Sequence, residues 1–189
     1  MEKVKDSLGG FTLPELIITT AILAIILGIA TPSWQRWTEN SAQRTLINEY
    51  HTLFSFARWS AASHRRLVTV CPLSTQNRCV DDWQRPISVF FDSNNDKQPD
   101  DNRILRKVAL KSALFNTTSR TGGKGYFQFN PNGMIHGATG SLILCPSRTE
   151  GTRMSYMAIN KGGRFRVEHD NDEDRIIKLP WGPMITCSP

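Results

Sequence analysis

The chain has 189 residues and a formal net charge of +6, with a sequence pI near 9.4, so it is long enough for one ordinary domain and an appendage. Residues 33–189 carry 21 basic and 14 acidic side chains. That balance suits either an anionic partner, such as nucleic acid, acidic lipid or polysaccharide, or a soluble surface with a mild basic excess. The four cysteines show neither C-x-x-C nor histidine-spaced patterning, which argues against a zinc site.

The N-terminus combines a short polar segment, residues 1–10, with an apolar run that follows it. The apolar run from Phe11 to Thr31 has 21 residues, which as a helix at about 1.5 Å per residue would cover roughly 30 Å, one bilayer core. A glycine pair precedes this run, which is unlike an ordinary secretory signal, so cleavage at Gly10 would leave the apolar helix in the mature protein. We therefore predict a leader at residues 1–10 and a transmembrane helix at residues 11–32.

Glu15 is the single charged residue between Leu13 and Ala30. A carboxylate in a membrane helix costs about 2.5 kcal/mol or more at the bilayer centre, which makes it a functional candidate by default. One interpretation is that Glu15 complements the helix dipole in the first turn. The other is that it forms a salt bridge with a free amine on Phe11, its own or that of a neighbouring subunit.

Gly9-Gly10 followed by Phe11-Thr12-Leu13, Glu15 and the apolar helix resembles the class III signal of type IV prepilins. The resemblance implies that a prepilin peptidase cuts after Gly10 and N-methylates Phe11, and that Glu15 helps to register subunits in a filament. It also implies a single-pass protein of the bacterial inner membrane with a periplasmic head. Such a protein then assembles with other major and minor pilins or pseudopilins. A membrane-anchored domain that never polymerises is the alternative.

Residues 33–64 are predicted to continue as an amphipathic helix, because apolar residues recur there at helical spacing. The predicted sheet-facing stripe comprises Trp34, Trp37, Leu46, Ile47, Tyr50, Leu53, Phe54, Ala57 and Ala61. After this helix, short β-rich runs alternate with turn residues, which predicts strands at residues 67–71, 87–91, 103–108, 126–129, 141–145, 155–159 and 163–167. The fold class is therefore α+β, with a long N-terminal helix packed on a small antiparallel sheet in a head at residues 65–189.

Several head segments carry a second resemblance. They are Cys71 and Cys79, then Trp83, VFFDSNNDKQPDD from Val89, FQFNPNG (127–133), LILC (142–145) and INKGGRFR (159–166). Together they resemble the GspH/FimT group, which comprises the type II secretion pseudopilin H and the minor pilins FimT and FimU. This resemblance implies a minor subunit that helps to initiate or cap a pilus, with the type II secretion pseudopilin as the alternative.

Gly163-Arg164-Phe165-Arg166 is the candidate binding site. On a strand, Phe165 and Val167 would point to the core, and Arg164 and Arg166 would point outward roughly 7 Å apart, a spacing that suits adjacent backbone phosphates. The segment is similar to the GRxR motif of FimT-like pilins, which implies binding of double-stranded DNA during natural transformation. The basic residues that would widen this patch are Lys161, Arg148 and Arg153. The alternatives are a solvated strand face, or arginines paired to acidic neighbours such as Glu168 and Asp170.

The cysteines predict two disulfides if the head is exported. Among three connectivities we favour Cys71–Cys79 and Cys145–Cys187, and buried free thiols are the alternative.

The loop from Asp92 to Asp101 has oxygen-bearing side chains at alternate positions, as a calcium loop requires. Lys97 stands where such a loop needs glycine, and Arg103 where it needs glutamate, so an acidic turn is the favoured interpretation. We predict no metal and no cofactor. No Ser-His-Asp triad or phosphate loop is visible in the sequence, so the prediction is a protein that is not an enzyme.

Overall fold

The computed structural model describes residues 12–137, 139–147, 153–172, 174, 176–179, 182 and 184–187, with the backbone alone described at residues 29–33 and 35. Gly10, Phe11 and Arg148 therefore lie outside the described residues. The chain divides into two compact units, residues 1–38 and residues 39–189.

The helix α1 spans Leu13–His64, so one helix contains most of the two helical segments that the sequence predicts. Its first turn is closed by a hydrogen bond from the Leu16 amide to the Thr12 carbonyl at 3.2 Å. Pro14 is tolerated in this turn because the amide that it lacks would have no partner within the helix. Within the part of the chain that the structure describes, no helix is both long enough and apolar enough to cross a membrane.

In the second unit, one face of α1 is buried, as the helical spacing predicts. Leu46, Tyr50, Leu53, Phe54, Ala57 and Ala61 are all buried, and Ile47 packs against the same core. The prediction was wrong for Trp34 and Trp37, which are 66% and 63% exposed and lie with their ring centroids 5.4 Å apart. Both belong to the first unit, and helical spacing specifies a face of the helix but not the residue at which the buried part of that face begins.

Ten strands follow α1 in the described residues. They are β1 (Val68–Pro72), β2 (Ile87–Phe91), β3 (Ile104–Val108), β4 (Phe115–Arg120), β5 (Phe127–Phe129), β6 (Gly140–Pro146), β7 (Ser155–Ile159), β8 (Phe165–His169), β9 (Ile176–Lys178) and β10 (Met184–Thr186), with a 3₁₀ turn at Asp100–Asn102. All pairings are antiparallel. Two sheets have four strands each, in the orders β3-β2-β1-β5 and β4-β6-β7-β8, and β9 and β10 form a separate pair.

The main core joins the buried face of α1 to both four-stranded sheets. Phe54 of the helix meets Phe127 edge to face at 5.1 Å, and Tyr50 packs against Trp83 at 6.5 Å. Buried aliphatic residues of β1, β2, β6 and β7 complete the cluster. The burial of these large side chains, each contributing about 1.5–3 kcal/mol, is what holds the helix to the sheets.

A second, smaller core lies under β9 and β10. Ile177 and Ile185 of these strands pack with Ile143, Cys145 and Met154. The C-terminal strand pair therefore has its own apolar contacts, and residues 176–179 and 184–187 are tied to β6 through them.

The two disulfides of the structure are Cys71–Cys79 and Cys145–Cys187, and no described cysteine is free. This is the pairing that the sequence analysis favours. The first bond closes a short loop after β1, and the second links β6 to the residue that follows β10.

Candidate nucleic-acid interface

The turn between β7 and β8 positions the Gly163–Arg166 segment. The Gly163 amide donates to the Asn160 carbonyl at 2.8 Å, and the Asn160 amide donates to the Arg164 carbonyl at 3.0 Å. The Arg164 amide donates to the Asn160 side-chain oxygen at 2.9 Å, so one asparagine closes the turn through both its backbone and its side chain. Strand β8 begins only at Phe165, so Gly163 and Arg164 belong to the turn rather than to the predicted strand.

Gly163 is required by a close backbone approach. Its φ is +72°, and a Cβ at this position would lie 2.7 Å from the Gly133 carbonyl oxygen and 3.2 Å from Cε1 of Phe129. Both the left-handed backbone and the contact exclude a side chain here. The glycine of the motif thus fixes the turn against β5 and the 130–133 turn.

The two arginines of the motif differ in their surroundings. Phe165 and Val167 pack against the core and Arg166 is exposed, as alternation on the strand predicts. The Arg166 guanidinium binds Glu168, with its Nε 2.6 Å and its Nη2 2.5 Å from the same carboxylate oxygen. Among the described residues, the Arg164 guanidinium makes no ion pair. The two arginines are therefore not electrostatically equivalent.

Arg164 lines a groove of about 510 Å³ between α1 and the turns at residues 130–133 and 160–164. We call this feature the arginine groove. Its other lining residues include Arg58, Trp59, His51, Asn132 and Phe165. None of the described residues that line it carries a carboxylate.

Arg58 of α1 lines the groove although no sequence motif points to it. Its side chain lies against both glycine turns, because a Cβ on Gly133 would be 3.3 Å from Arg58 Cγ and one on Gly163 would be 3.4 Å from Arg58 Cδ. Neither glycine presents a side chain, so the arginine stem covers the backbone there. The sequence shows Arg58 only as a polar position of an amphipathic helix, and its neighbours in the groove come from segments distant in sequence.

The other predicted basic residues are dispersed. The Lys161 ammonium donates to the Gly137 carbonyl at 2.9 Å, in the same turn region as Arg164. Arg153 precedes β7 whereas Arg164 follows it, so the two lie at opposite ends of a five-residue strand, roughly 15 Å long. Arg148 lies outside the described residues. The structure thus brings Lys161 near the motif but not Arg153.

The Asp92–Asp101 loop is folded around one buried carboxylate. Asp92 accepts hydrogen bonds from the Thr69 hydroxyl at 2.7 Å, the Gln128 amide group at 2.9 Å and the Asp96 backbone amide at 2.8 Å. Asp100 accepts from the Ser93 amide and pairs with Arg66 at 2.7 Å. These hydrogen bonds account for the shape of the loop by turn chemistry.

A partly buried hydrogen-bond chain connects α1 to β7 and β8. Gln43 donates to the Ser155 hydroxyl at 2.9 Å, and that hydroxyl lies 2.9 Å from Nδ1 of His169. Partial desolvation lowers the pKa of His169 below its ordinary value, with Arg153 and Arg44 acting in the same direction and Glu168 against it. Ser155 is fully buried, so its hydroxyl links α1 to the sheet inside the fold, whereas the His169 ring lies at the surface.

At the other end of the chain, Glu15 lies in the first turn of α1 and is exposed. Its backbone carbonyl accepts a hydrogen bond from the Thr19 hydroxyl at 2.9 Å. The predicted cleavage and methylation sites, Gly10 and Phe11, lie outside the described residues.

A helix packed on antiparallel sheets, with this arrangement of strands, defines the class of type IV pilin-like proteins. Residues 46–163, more than half of the chain, match the family described as type II transport protein GspH, and the chain belongs to that family. No curated protein sequence is similar enough to count as a relative.

Two solved structures share the fold. Both are crystal forms of the type IV minor pilin FimU from Pseudomonas aeruginosa strain PAO1. In the first, the identity is 20% and the TM-score 0.56, and the match covers 70% of this chain and 92% of FimU. In the second, the values are 19% and 0.51, with 66% and 91% covered.

Proposed function

We propose that this chain is a minor subunit of a type IV pilus, and that it helps to initiate or cap the filament. The observation that carries the proposal is the match of residues 46–163 to the GspH family, supported by the fold that the head shares with a type IV minor pilin. The subunit acts by assembling with other major and minor pilins or pseudopilins, and we assign it no catalytic activity.

The N-terminal segment supplies the mechanism of assembly. A prepilin peptidase cuts after Gly10 and methylates Phe11, and the helix then holds the subunit in the bacterial inner membrane with a periplasmic head. The large apolar side chains from Leu13 to Leu27 are 52–74% exposed in the isolated chain, which is a surface that lipid or neighbouring helices would cover. Glu15 pairs with the terminal amine of a neighbouring subunit, because an apolar surrounding strengthens the attraction between opposite charges.

The test of this proposal uses the full-length chain, produced with prepilin peptidase and a major pilin. We expect an intact-mass measurement to find Phe11 as the methylated first residue, and sheared filaments to contain the chain. Glu15→Gln should reduce its incorporation, whereas the control Thr20→Ala should not, because in the described part of the chain the Thr20 hydroxyl bonds to carbonyls of its own helix. A chain that keeps residues 1–10 beside an active peptidase, and that is absent from filaments, contradicts the proposal.

The alternative is that the chain is a pseudopilin of a type II secretion system. The observation in favour of this alternative is that the description of the matched family names type II transport. Deleting the gene distinguishes the pilus subunit from the pseudopilin. Loss of pili with protein secretion intact supports the pilus subunit. Loss of protein secretion with pili intact supports the pseudopilin.

A second role is the binding of double-stranded DNA for uptake in natural transformation. The observation that favours it is the exposed Arg164, whose groove contains no carboxylate among the described residues. Contacts from Arg164, Arg166 and Lys161 to the DNA backbone would be independent of sequence and sensitive to salt.

Salt titration of duplex binding tests this second role. Arg164→Gln should weaken binding and lower the slope of log K against log salt by about 0.9, the loss of one phosphate contact. Arg166→Gln should have a smaller effect, because Glu168 already binds that guanidinium. Arg78→Gln, an exposed arginine of the loop closed by Cys71–Cys79, is the matched control. Equal binding by all three variants and the parent chain removes Arg164 from the site.

A further inference from the structure

We propose that the arginine groove binds single-stranded nucleic acid, with Arg58 and Arg164 on the phosphates and Trp59 stacked on a base. This inference rests on the proposal that Arg164 binds DNA. It adds helix α1 as a second wall of the site, and it names the single strand as the substrate of the groove.

The charge of the groove favours a polyanion. Two guanidinium groups line it, one from α1 and one from the β7–β8 turn, and the described lining residues include no acid. Within the described part of the chain, neither Arg58 nor Arg164 forms an ion pair. Unpaired guanidinium groups retain their full capacity for bidentate bonds to phosphate.

The glycine turns hold Arg58 in the groove. Its stem lies against Gly133 and Gly163, at 3.3 Å and 3.4 Å from the positions that their Cβ atoms would occupy. A Cβ on Gly133 would press slightly on the stem, and one on Gly163 would be in ordinary contact with it. The two glycines therefore leave the stem of the helix arginine room to lie across both turns, in the same groove as the turn arginine.

The aromatic side of the groove favours an unpaired base. The Trp59 indole is 61% exposed, although a large apolar side chain usually contributes to the core. His51, which also lines the groove, stands edge to face with Phe165 at 5.5 Å. Sites for single strands combine a basic groove with aromatic side chains on which bases stack. A duplex does not offer base faces, because its bases are already stacked on one another.

The experiment measures binding of the full-length chain, in non-ionic detergent, to a short fluorescent oligodeoxythymidine. We expect Arg58→Gln and Arg164→Gln each to lower the salt slope by about 0.7, the value for a single-strand phosphate. Trp59→Ala should weaken binding at least about five-fold, and Trp59→Phe should retain most of it, because a phenyl ring still stacks. An abasic strand of the same length should bind the parent chain as weakly as oligodeoxythymidine binds Trp59→Ala.

Thermal unfolding of each variant confirms that it is folded, and Arg78→Gln is again the control. If Arg58→Gln and Trp59→Ala bind oligodeoxythymidine like the parent chain while Arg164→Gln weakens duplex binding, the groove inference is overturned and the DNA proposal stands. If no form of DNA binds, both are overturned. Equal binding of the abasic strand removes the stacking role of Trp59. Equal competition by polyglutamate replaces nucleic acid by an acidic peptide as the occupant.

Discussion

Gly163 and Gly133 approach so closely that a Cβ on Gly163 would lie 2.7 Å from the Gly133 carbonyl oxygen. The two glycines join the β7–β8 turn to the turn after β5, and Arg58 packs across both. The glycine of the arginine motif is therefore explained by packing, whatever the arginines bind.

Replacement of Gly163 by alanine should be strongly destabilising. A left-handed φ costs alanine about 1–2 kcal/mol, and relieving the contact with backbone atoms adds to this cost. We expect a total loss of more than about 2 kcal/mol in the free energy of unfolding, measured by denaturant titration.

Two other glycines separate these contributions. Gly122→Ala introduces only the strained φ, because nothing lies within 4 Å of the new Cβ, and should cost about 1–2 kcal/mol. Gly162→Ala introduces neither a strained φ nor a close contact, since the atom nearest to the new Cβ would be 3.5 Å away. It should change the free energy of unfolding by less than about 0.5 kcal/mol. Equal losses at all three positions would contradict this account.

Asp92 organises the loop between β2 and β3, and its neutralisation should destabilise the head. The carboxylate is fully buried and accepts bonds from Thr69, Gln128 and two backbone amides. Asp92→Asn places an NH₂ group where acceptors are needed, and we expect a loss of about 2–4 kcal/mol. Asp96→Asn, at an exposed position, keeps an acceptor oxygen for the Gln98 amide and should cost less than about 0.5 kcal/mol. Similar unfolding midpoints for the two variants would show that burial of Asp92 does not matter.

Calcium should not stabilise this loop. Ligand binding to the folded state raises the free energy of unfolding, so a real calcium site would raise the melting temperature as the ion is added. Because protein donors already occupy the oxygens of Asp92 and Asp100, we expect calcium and a chelator to give the same melting temperature. A rise in melting temperature with calcium that Asp92→Asn abolishes would restore the calcium interpretation.

Apolar runs bounded by turn residues predicted the positions of most of the longer strands. Strands β2 and β7 are where the apolar runs 87–91 and 155–159 place them, and β1, β3, β5 and β6 differ at their ends by one residue or so. Strand β4 was missed because its sequence, FNTTSR, alternates small polar residues with few apolar ones. Strands β9 and β10 have three residues each, too few for a period to be read.

The candidate site was predicted only in part, because some of its residues come together through tertiary packing and not through a local pattern. Arg164 carries a motif, so the sequence pointed to it. Arg58 and Trp59 contribute to the groove because tertiary packing places α1 beside the 130–133 turn, and a helical pattern does not report that neighbour. Arg166 and Glu168 are two residues apart on one face of β8, where they form an ion pair. The sequence offered this pairing only as an alternative to a free arginine.

Loss of the Cys145–Cys187 bond should loosen β9 and β10 without unfolding the main core. The bond closes a separation of 42 residues, for which loop-closure entropy gives about 4 kcal/mol, and the apolar cluster beneath the two strands is small. In Cys145→Ser/Cys187→Ser, we expect the amides of β9 and β10 to exchange hydrogen much faster, while those of β1 and β2 stay protected. Cys71→Ser/Cys79→Ser is the control, since its loop of 8 residues lies elsewhere. Unchanged exchange in β9 and β10 would show that their apolar contacts suffice.

Acidification should destabilise the head through His169. Desolvation lowers its pKa in the folded state below the ordinary value of 6.5, so the unfolded chain binds the proton more readily. The contribution of His169 to the free energy of unfolding is therefore constant at pH values above its pKa in the unfolded chain. This contribution falls as the pH drops from that pKa towards the lower pKa of the folded state. Denaturant titrations between about pH 7.5 and 5 should show a smaller loss for His169→Gln than for the parent chain. His136→Gln, an imidazole outside this cluster, is the control, and identical pH slopes for the parent chain and His169→Gln would contradict the assignment.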